Sequence, residues 1–481
     1  MRFKKPNMAL EWCPRDTWKS YTDDVTSSQT SKSKTLFGMS KIGLIQTKLK
    51  SERNGQLRSH PIPGGLFPNA PPRQVFPQRG DTCLSGFPRP SPYRTQQSDE
   101  AECFGDCHGV AAPPLAQPYV VNVDHFIVRS NGFYDHSKAF LEAWKVACSC
   151  ENGVLVVPWN KKYRLKPIKF LGPCNSDTTV KIYGKIEASE DPLDYQQDRT
   201  HWLRFENVQN LKVEGGGSID GNGEVWWRNS CKVNKSRAVV FSECKNLRVD
   251  ELRIANAQQM HLTFQECVDV VASNLMITAP ERSPNTDGIH ITGTKNIQIV
   301  SSVIQTGDDC ISIVSGSTNV RATGITCGPG HGISIGSLGE GNSVAHVSNV
   351  IVNRAKFTGT ENGVRIKTWQ GGSGQAKDIV FQNIEMHRVN NPIIVDQYYC
   401  DRDTPCPEQK SAVKVSNVRY QNIKGTSSTK MAIKFDCSQS FPCQEIVLQN
   451  VNLAHEGGGA AAADCQHVKL MDKGHVSPSC S

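Results

Sequence analysis

The tetrapeptides GIHI, CISI and GISI begin at Gly288, Cys310 and Gly332, 22 residues apart each time, and GVRI follows at Gly363. An apolar alternation that returns at a long, nearly fixed period points to a solenoid. Each repeat is then one coil, and a coil buries its apolar face only against its neighbours. In a parallel β-solenoid equivalent residues stack roughly 4.8 Å apart, the distance between paired strands. The alternate Ile positions become ladders inside the stack.

A second series of short runs agrees. QNLKVEG, KNLRVDELRI, KNIQIVSSVI, TNVRATGIT, SNVIVNRAKF, KDIVFQNIEM, SNVRYQNIK and QEIVLQNVNL each set a turn-type residue before a short apolar alternation. Those residues are Asn210, Asn246, Asn296, Asn319, Asn349, Asp378, Asn417 and Glu445. Their intervals are irregular, from 23 residues upward. The fold class predicted is all-β, a parallel β-helix.

Register also creates chemistry. The residue before each tetrapeptide is Asp287, Asp309 and His331, which places these three in one column on neighbouring coils. Asp308 stands beside Asp309, level with Thr286 and Gly330. Strict alternation would turn Asp287 and Asp309 inward with Ile289 and Ile311, so the chain is expected to bend just before the strand. Gly288 and Gly332 would permit the bend. Arg365 and Lys367 lie two apart in GVRIKT and share a face. Arg365 is level with His290, Ser312 and Ser334 at outward positions.

Three carboxylates, an imidazole and two cations on one face fit acid/base chemistry on an anionic substrate. One carboxyl group donates a proton to a leaving oxygen while another activates water. Like charges held close push their pKa values apart and allow that division. Taken singly, NTDG and GDDC also suit solvated turns or calcium ligands. Their common register with GHG and RIK favours the catalytic set.

These motifs are NTDG (Asn285 to Gly288), GDDC (Gly307 to Cys310), GHG (Gly330 to Gly332) and RIK (Arg365 to Lys367). In this order they resemble the four motifs of the polygalacturonases, glycoside hydrolase family 28. VEGGGSIDGNGEVWW, NAQQMHLTF, GISIGSLG, NGVRIKTWQGGSG and NPIIVDQYYC look like plant members in particular. The resemblance runs from about Val120 to about Gln466. It implies a right-handed parallel β-helix and hydrolysis of α-1,4 bonds between galacturonic acid units of pectin, with inversion. Carried over to this chain, Asp308 is the general acid, and Asp287 and Asp309 hold and activate the water. His331 supports the proton network or the substrate, and Arg365 and Lys367 bind substrate carboxylates. Tyr398 in QYYC matches a substrate-site tyrosine, with Tyr399 adjacent. The resemblance also pairs Cys310 with Cys327. It implies no cofactor and no metal, and a monomer acting on polygalacturonate in the cell wall.

The chain departs from the family in places. FIVRSNGFYDHS (Phe126 to Ser137) replaces a Gly- and Asp-rich entry, so the N-terminal cap is expected to differ. After NSCKVNKS (Asn229 to Ser236) the chain passes directly to RAVVF, which leaves Cys231 without its usual partner. Asn234, Lys235 and Ser236 form a glycosylation sequon. Other readings remain beside endo-hydrolysis: an exo-acting polygalacturonase, a calcium-dependent pectate lyase, which GHG and RIK oppose, and a pectin-binding protein without activity.

Composition limits the rest. The net charge is +8, but residues 1–115 hold 16 Lys and Arg against 10 Asp and Glu, so most of the excess lies there. No basic stripe with interleaved aromatics marks a nucleic-acid surface. No apolar run approaches the roughly 20 residues that span a bilayer. Residues 1–115 are rich in Ser, Thr, Pro, Lys and Arg, and PIPGGLFPNAPPRQVFPQ suits neither helix nor sheet. They are expected to form a disordered extension, with at most a weak helix near Leu36 to Leu49, before a catalytic domain over 116–481. MRFKK is followed by no continuous apolar segment of the secretory kind. Eighteen cysteines, with Cys400 near Cys406, Cys437 near Cys443 and Cys465 near Cys480, favour disulfides and an oxidising compartment. SKAFLEAWKVAC (Ser137 to Cys148) reads as an amphipathic helix with Ser137 as its N-cap.

Overall fold

The computed structural model describes residues 117–127, 135–228, 236–400 and 406–480. Residues 1–115, the weak helix near Leu36, Cys231, Asn234, Lys235 and most of the altered entry after Phe126 lie outside them.

Every strand pair in the two sheets is parallel, and each strand sits beside its counterpart from the next coil. This is the right-handed parallel β-helix. One sheet has eleven strands and runs from Ile168–Leu171 to Ala462–Gln466 in chain order. Ile289, Ile311, Ile333 and Val364 pair in succession along it, as do His290, Ser312, Ser334 and Arg365. The 22-residue spacing is therefore one coil, and the register expected from the sequence is the register observed.

The eight turn-type residues named above all adopt left-handed backbone, with φ between 50° and 59°. Asn tolerates that region better than most residues, because its short side chain bonds locally. Several also stack: Asn319 Nδ2 donates to Asn296 Oδ1 at 2.7 Å, and Asn417 Nδ2 to Asp378 Oδ1 at the same distance. Some coils escaped the sequence pattern, the one through Val268–Ser273 among them. It carries its left-handed turn on Asp269, in CVDVVAS.

The core is the inside of the coil stack. Phe170, Phe205, Phe241 and Phe264 stack on successive coils with ring centroids 4.5, 5.1 and 5.7 Å apart, and isoleucines continue the ladder. Full burial of one such side chain contributes about 1.5–3 kcal/mol, so the repeated ladders carry the stability of the stack.

The N-terminal helix is Ser137–Ser149, and it packs Phe140, Ala143, Trp144 and Ala147 against the first coils. Its N-cap is His136 rather than Ser137. Asp135 takes the Ser137 N–H at 2.9 Å, while Ser137 Oγ accepts from Lys166 N–H at 2.8 Å. The serine ties the helix to a strand end instead of capping it. Disulfides join Cys148 to Cys174, Cys310 to Cys327, Cys437 to Cys443 and Cys465 to Cys480.

Candidate active site

The aspartates lie where the chain enters the strands of the eleven-strand sheet, and the expected bend is there. Ser312 Oγ donates to Asp287 Oδ2 and Ser334 Oγ to Asp309 Oδ1, each at 2.6 Å. Ser312 and Ser334 are outward positions of their strands, so both carboxylates face out although Ile289 and Ile311 face in. The two glycines serve differently. Gly332 has φ +85°, a left-handed turn that favours glycine. Gly288 lacks such a φ. It is needed for space, because a Cβ there would meet Ile304 Cγ2 at 2.3 Å and Cys310 O at 2.6 Å.

Asp308 turns to a different partner. Its Oδ1 lies 3.0 Å from His331 Nδ1, and its Oδ2 accepts from Asn285 Nδ2 at 3.3 Å. The backbone repeats the link, with His331 N–H donating to Asp308 C=O at 2.7 Å. The other ring nitrogen of His331 lies 3.3 Å from Glu361 Oε2. Asp309 is the anchor of the cations. Arg365 Nη2 sits 2.8 Å from Oδ1, and Lys367 Nζ 2.9 Å from Oδ2. Arg365 Nε also donates to Ser334 Oγ at 3.0 Å.

Exposure separates the three carboxylates. The side chain of Asp308 is 17% exposed, that of Asp287 10% and that of Asp309 3%. Charge separates them as well. Burial, together with the charges of Asp308 and Asp309, pushes Asp287 well above the usual carboxylate range. Burial acts the same way on Asp309, but Lys367 and Arg365 outweigh it and hold the carboxyl low. At Asp308 burial is overcome mainly by His331. The reciprocal effect appears at His331. Burial disfavours its charge, yet Asp308 and Glu361 raise it to about 9. His290, bonded to Ser312 at 2.8 Å, is driven down to about 3 by burial and the nearby Arg237 charge, and so stays neutral.

Six of the seven residues selected from the sequence therefore meet in one network. Tyr398 stands outside it. Its hydroxyl pairs with Glu408 and accepts from Gln439 N–H at 3.2 Å, so it fastens a loop. The neighbouring Tyr399 is the tyrosine at the cations, with Lys367 Nζ 5.3 Å from its ring centroid and Trp369 edge-on at 5.9 Å. Tyr398 N–H donates to Asp396 Oδ1 at 2.9 Å, and this turn sends the adjacent rings to different surroundings. Glu361 was also missed, although register held its signal. In ENGVRI it occupies the place that Asp308 holds in DDCISI.

Residues 148–480 match the model of glycosyl hydrolases family 28. A polygalacturonase of Arabidopsis thaliana, QRT2, is 59% identical over 384 residues, covering 78% of this chain and 87% of the relative. Polygalacturonase-2 of Solanum lycopersicum is 58% identical over 370 residues, covering 75% and 81%. Among solved structures, the polygalacturonase of Erwinia carotovora has a TM-score of 0.61 at 21% identity, covering 76% of this chain and all of the other. The endo-xylogalacturonan hydrolase of Aspergillus tubingensis reaches 0.64 at 21% identity, covering 74% of this chain. Fold and family together define a glycoside hydrolase. The chain belongs to glycosyl hydrolase family 28 and groups there with plant polygalacturonases.

Proposed function

We propose that this chain hydrolyses internal α-1,4-galacturonosyl bonds of de-esterified pectin with inversion of configuration, through Asp308 as acid and Asp309 with Asp287 as the water site. The observation that carries the reading is the division of the carboxylates. Asp308, the most exposed of the three, lies 3.0 Å from His331, whose ring it holds in the protonated form, while Asp309 is paired with two cations. The proton held on His331 passes through Asp308 to the departing glycosidic oxygen. Asp309 takes a proton from the attacking water, and Asp287 orients that water. A galacturonate carboxylate arriving at Arg365 and Lys367 would draw off part of the charge that keeps Asp308 low. Substrate binding would then raise the acid toward its working range.

The aspartate coils have four strands of the eleven-strand sheet before them and several after, which suits a polymer crossing the middle of the sheet. This supports endo action over exo action. We place the catalytic domain at residues 116–481, acting as a monomer in the cell wall.

A second reading has one observation in its favour. Burial and its neighbours push the Asp287 carboxyl up, the direction that suits a proton donor, and so it could be the acid instead.

Purified protein on polygalacturonate with a calcium chelator tests the function. New reducing ends, an early fall in viscosity and no ultraviolet absorbance from unsaturated products are expected. Absorbing products would mean a lyase, slow viscosity loss would mean exo action, and binding without cleavage would mean an inactive homologue.

A further inference from the structure

Arg237 opens the strand Arg237–Ser242, two coils before Ile289–Thr292 in the eleven-strand sheet. Val239 pairs with Leu262, and Leu262 with Ile289. Arg237 stands two residues before Val239, just as Asp287 stands two before Ile289 and Asp309 two before Ile311. It therefore belongs to the column of the aspartates, with Met260 on the coil between. Strand spacing puts its Cα roughly 10 Å from that of Asp287. Its charge is felt at His290 and, in return, it feels that of Asp287.

The lack of a partner sets Arg237 apart from the other cations of this sheet. Arg365 and Lys367 are paired with Asp309. Arg204 reaches Glu206 at 3.2 Å, and Lys169 reaches Asp198 at 3.5 Å. Among the described residues, no hydrogen bond or ion pair holds the half-buried Arg237 guanidinium. Asp287 forms no ion pair with it and is already bonded to Ser312 Oγ at 2.6 Å, and burial with two neighbouring carboxylates pushes the Asp287 carboxyl up. A partly desolvated guanidinium with no anion is costly to keep. An arriving carboxylate would satisfy it through two parallel N–H donors.

We propose that Arg237 binds the carboxylate of a galacturonate unit on the N-terminal side of the aspartates, opposite Arg365 and Lys367, and biases the site toward de-esterified stretches. A pyranose unit advances a polysaccharide by about one coil step, so this unit lies one or two sugars from the cleaved bond. A methyl ester there would remove the charge and one acceptor, leaving the guanidinium unpaired. The inference rests on the polygalacturonase reading above and adds a charge contact to it.

The test uses the full chain with Arg237→Gln and Arg237→Lys. KM and kcat are measured on polygalacturonate and on heavily methyl-esterified pectin, and oligogalacturonate binding is followed by calorimetry. For Arg237→Gln we expect KM on polygalacturonate to rise about tenfold with a much smaller change in kcat, and KM on esterified pectin to stay near wild type. Cleavage of end-labelled oligogalacturonates should shift in position, and Arg237→Lys should recover part of the affinity. An equal loss on both substrates would overturn the proposal. So would a moved pH–rate profile at unchanged KM, because Arg237 would then act on Asp287 and not on substrate. If Arg237→Gln fails to fold, Arg237→Lys carries the same comparison through the loss of the fork. Calorimetry separates the two readings. If wild type cleaves nothing, the polygalacturonase reading falls, while weaker oligogalacturonate binding by the variant still supports Arg237 and unchanged binding refutes it.

Discussion

Lys367 Nζ lies 2.9 Å from Asp309 Oδ2, with both side chains 10% exposed or less. Arg365 takes the other oxygen, so the carboxylate is fully matched in a place where an unmatched charge is costly. Breaking a buried pair from one side usually costs about 3–5 kcal/mol, and the remaining Arg365 should reduce that to about 2 kcal/mol for Lys367→Met. The sign of the pH effect follows from the low carboxyl of Asp309. A depressed carboxyl group contributes stability above the ordinary carboxylate pKa and loses it as pH falls through the folded value. Urea unfolding of wild type and Lys367→Met should therefore differ fully from neutrality down to about pH 4, with the gap closing as pH falls below that. A gap that is constant with pH would mean that Lys367 supports packing rather than the charge of Asp309.

The Asp308–His331 pair predicts the opposite limb. His331 is raised to about 9 by Asp308 and Glu361 against the cost of burial. Its contribution is complete below the ordinary histidine value and disappears as pH rises through about 9. In Asp308→Asn the stronger of its two anions is gone. The ring-proton titration of His331, read by NMR, should then fall by at least one unit, and stability at pH 7 should drop by about 2 kcal/mol. An unmoved titration would show that Glu361 alone sustains the charge.

The choice between Asp308 and Asp287 as acid can be made on the leaving group. Loss of a general acid typically costs about 10²–10⁴ in rate when the leaving oxygen needs a proton. Asp308→Asn should therefore lose at least 10² on polygalacturonate and much less on an aryl galacturonide whose phenolate leaves unaided. Asp287→Asn should lose activity on both, because it disturbs the water. The reverse pattern would move the acid role to Asp287, the carboxyl that burial pushes up.

How far the sequence could be read depended on whether each feature follows from period. Coil register, strand direction and the meeting of Asp287, Asp308, Asp309, His331, Arg365 and Lys367 all follow from a recurring tetrapeptide, 22 residues apart over its first three copies, and a two-residue alternation. Features set by non-repeating turns did not. Tyr398 and Tyr399 are adjacent, and only the turn at Asp396 decides which ring reaches Lys367. The cap at His136 depends on Asp135 and on Lys166 from a strand end 29 residues after Ser137. Nor does the sequence order the three carboxyl groups by charge, since that rests on burial and on which cation each one meets.

The buried disulfide between Cys310 and Cys327 gives a prediction that separates positioning from stability. Cys310 follows Asp309 directly, and its Sγ lies 3.4 Å from where a Cβ on Gly330 would stand, one residue from His331. One bridge thus fixes the chain on both sides of the Asp308–His331 pair. With its ends 17 positions apart in sequence, its removal should cost about 3 kcal/mol by the loop-entropy relation. The neighbouring coils keep their ladders of Ile311, Ile313, Ile333 and Ile335, so the fold should survive in the double variant Cys310→Ala, Cys327→Ala. Small displacements of positioned acids can cost about 10² in rate, so kcat should fall well beyond the loss of folded protein. Far-ultraviolet circular dichroism and a melting curve report the fold, and active-site titration reports the fraction competent. If kcat per folded molecule is unchanged, the bridge serves stability alone, and the alignment of Asp308 with His331 comes from the coils themselves.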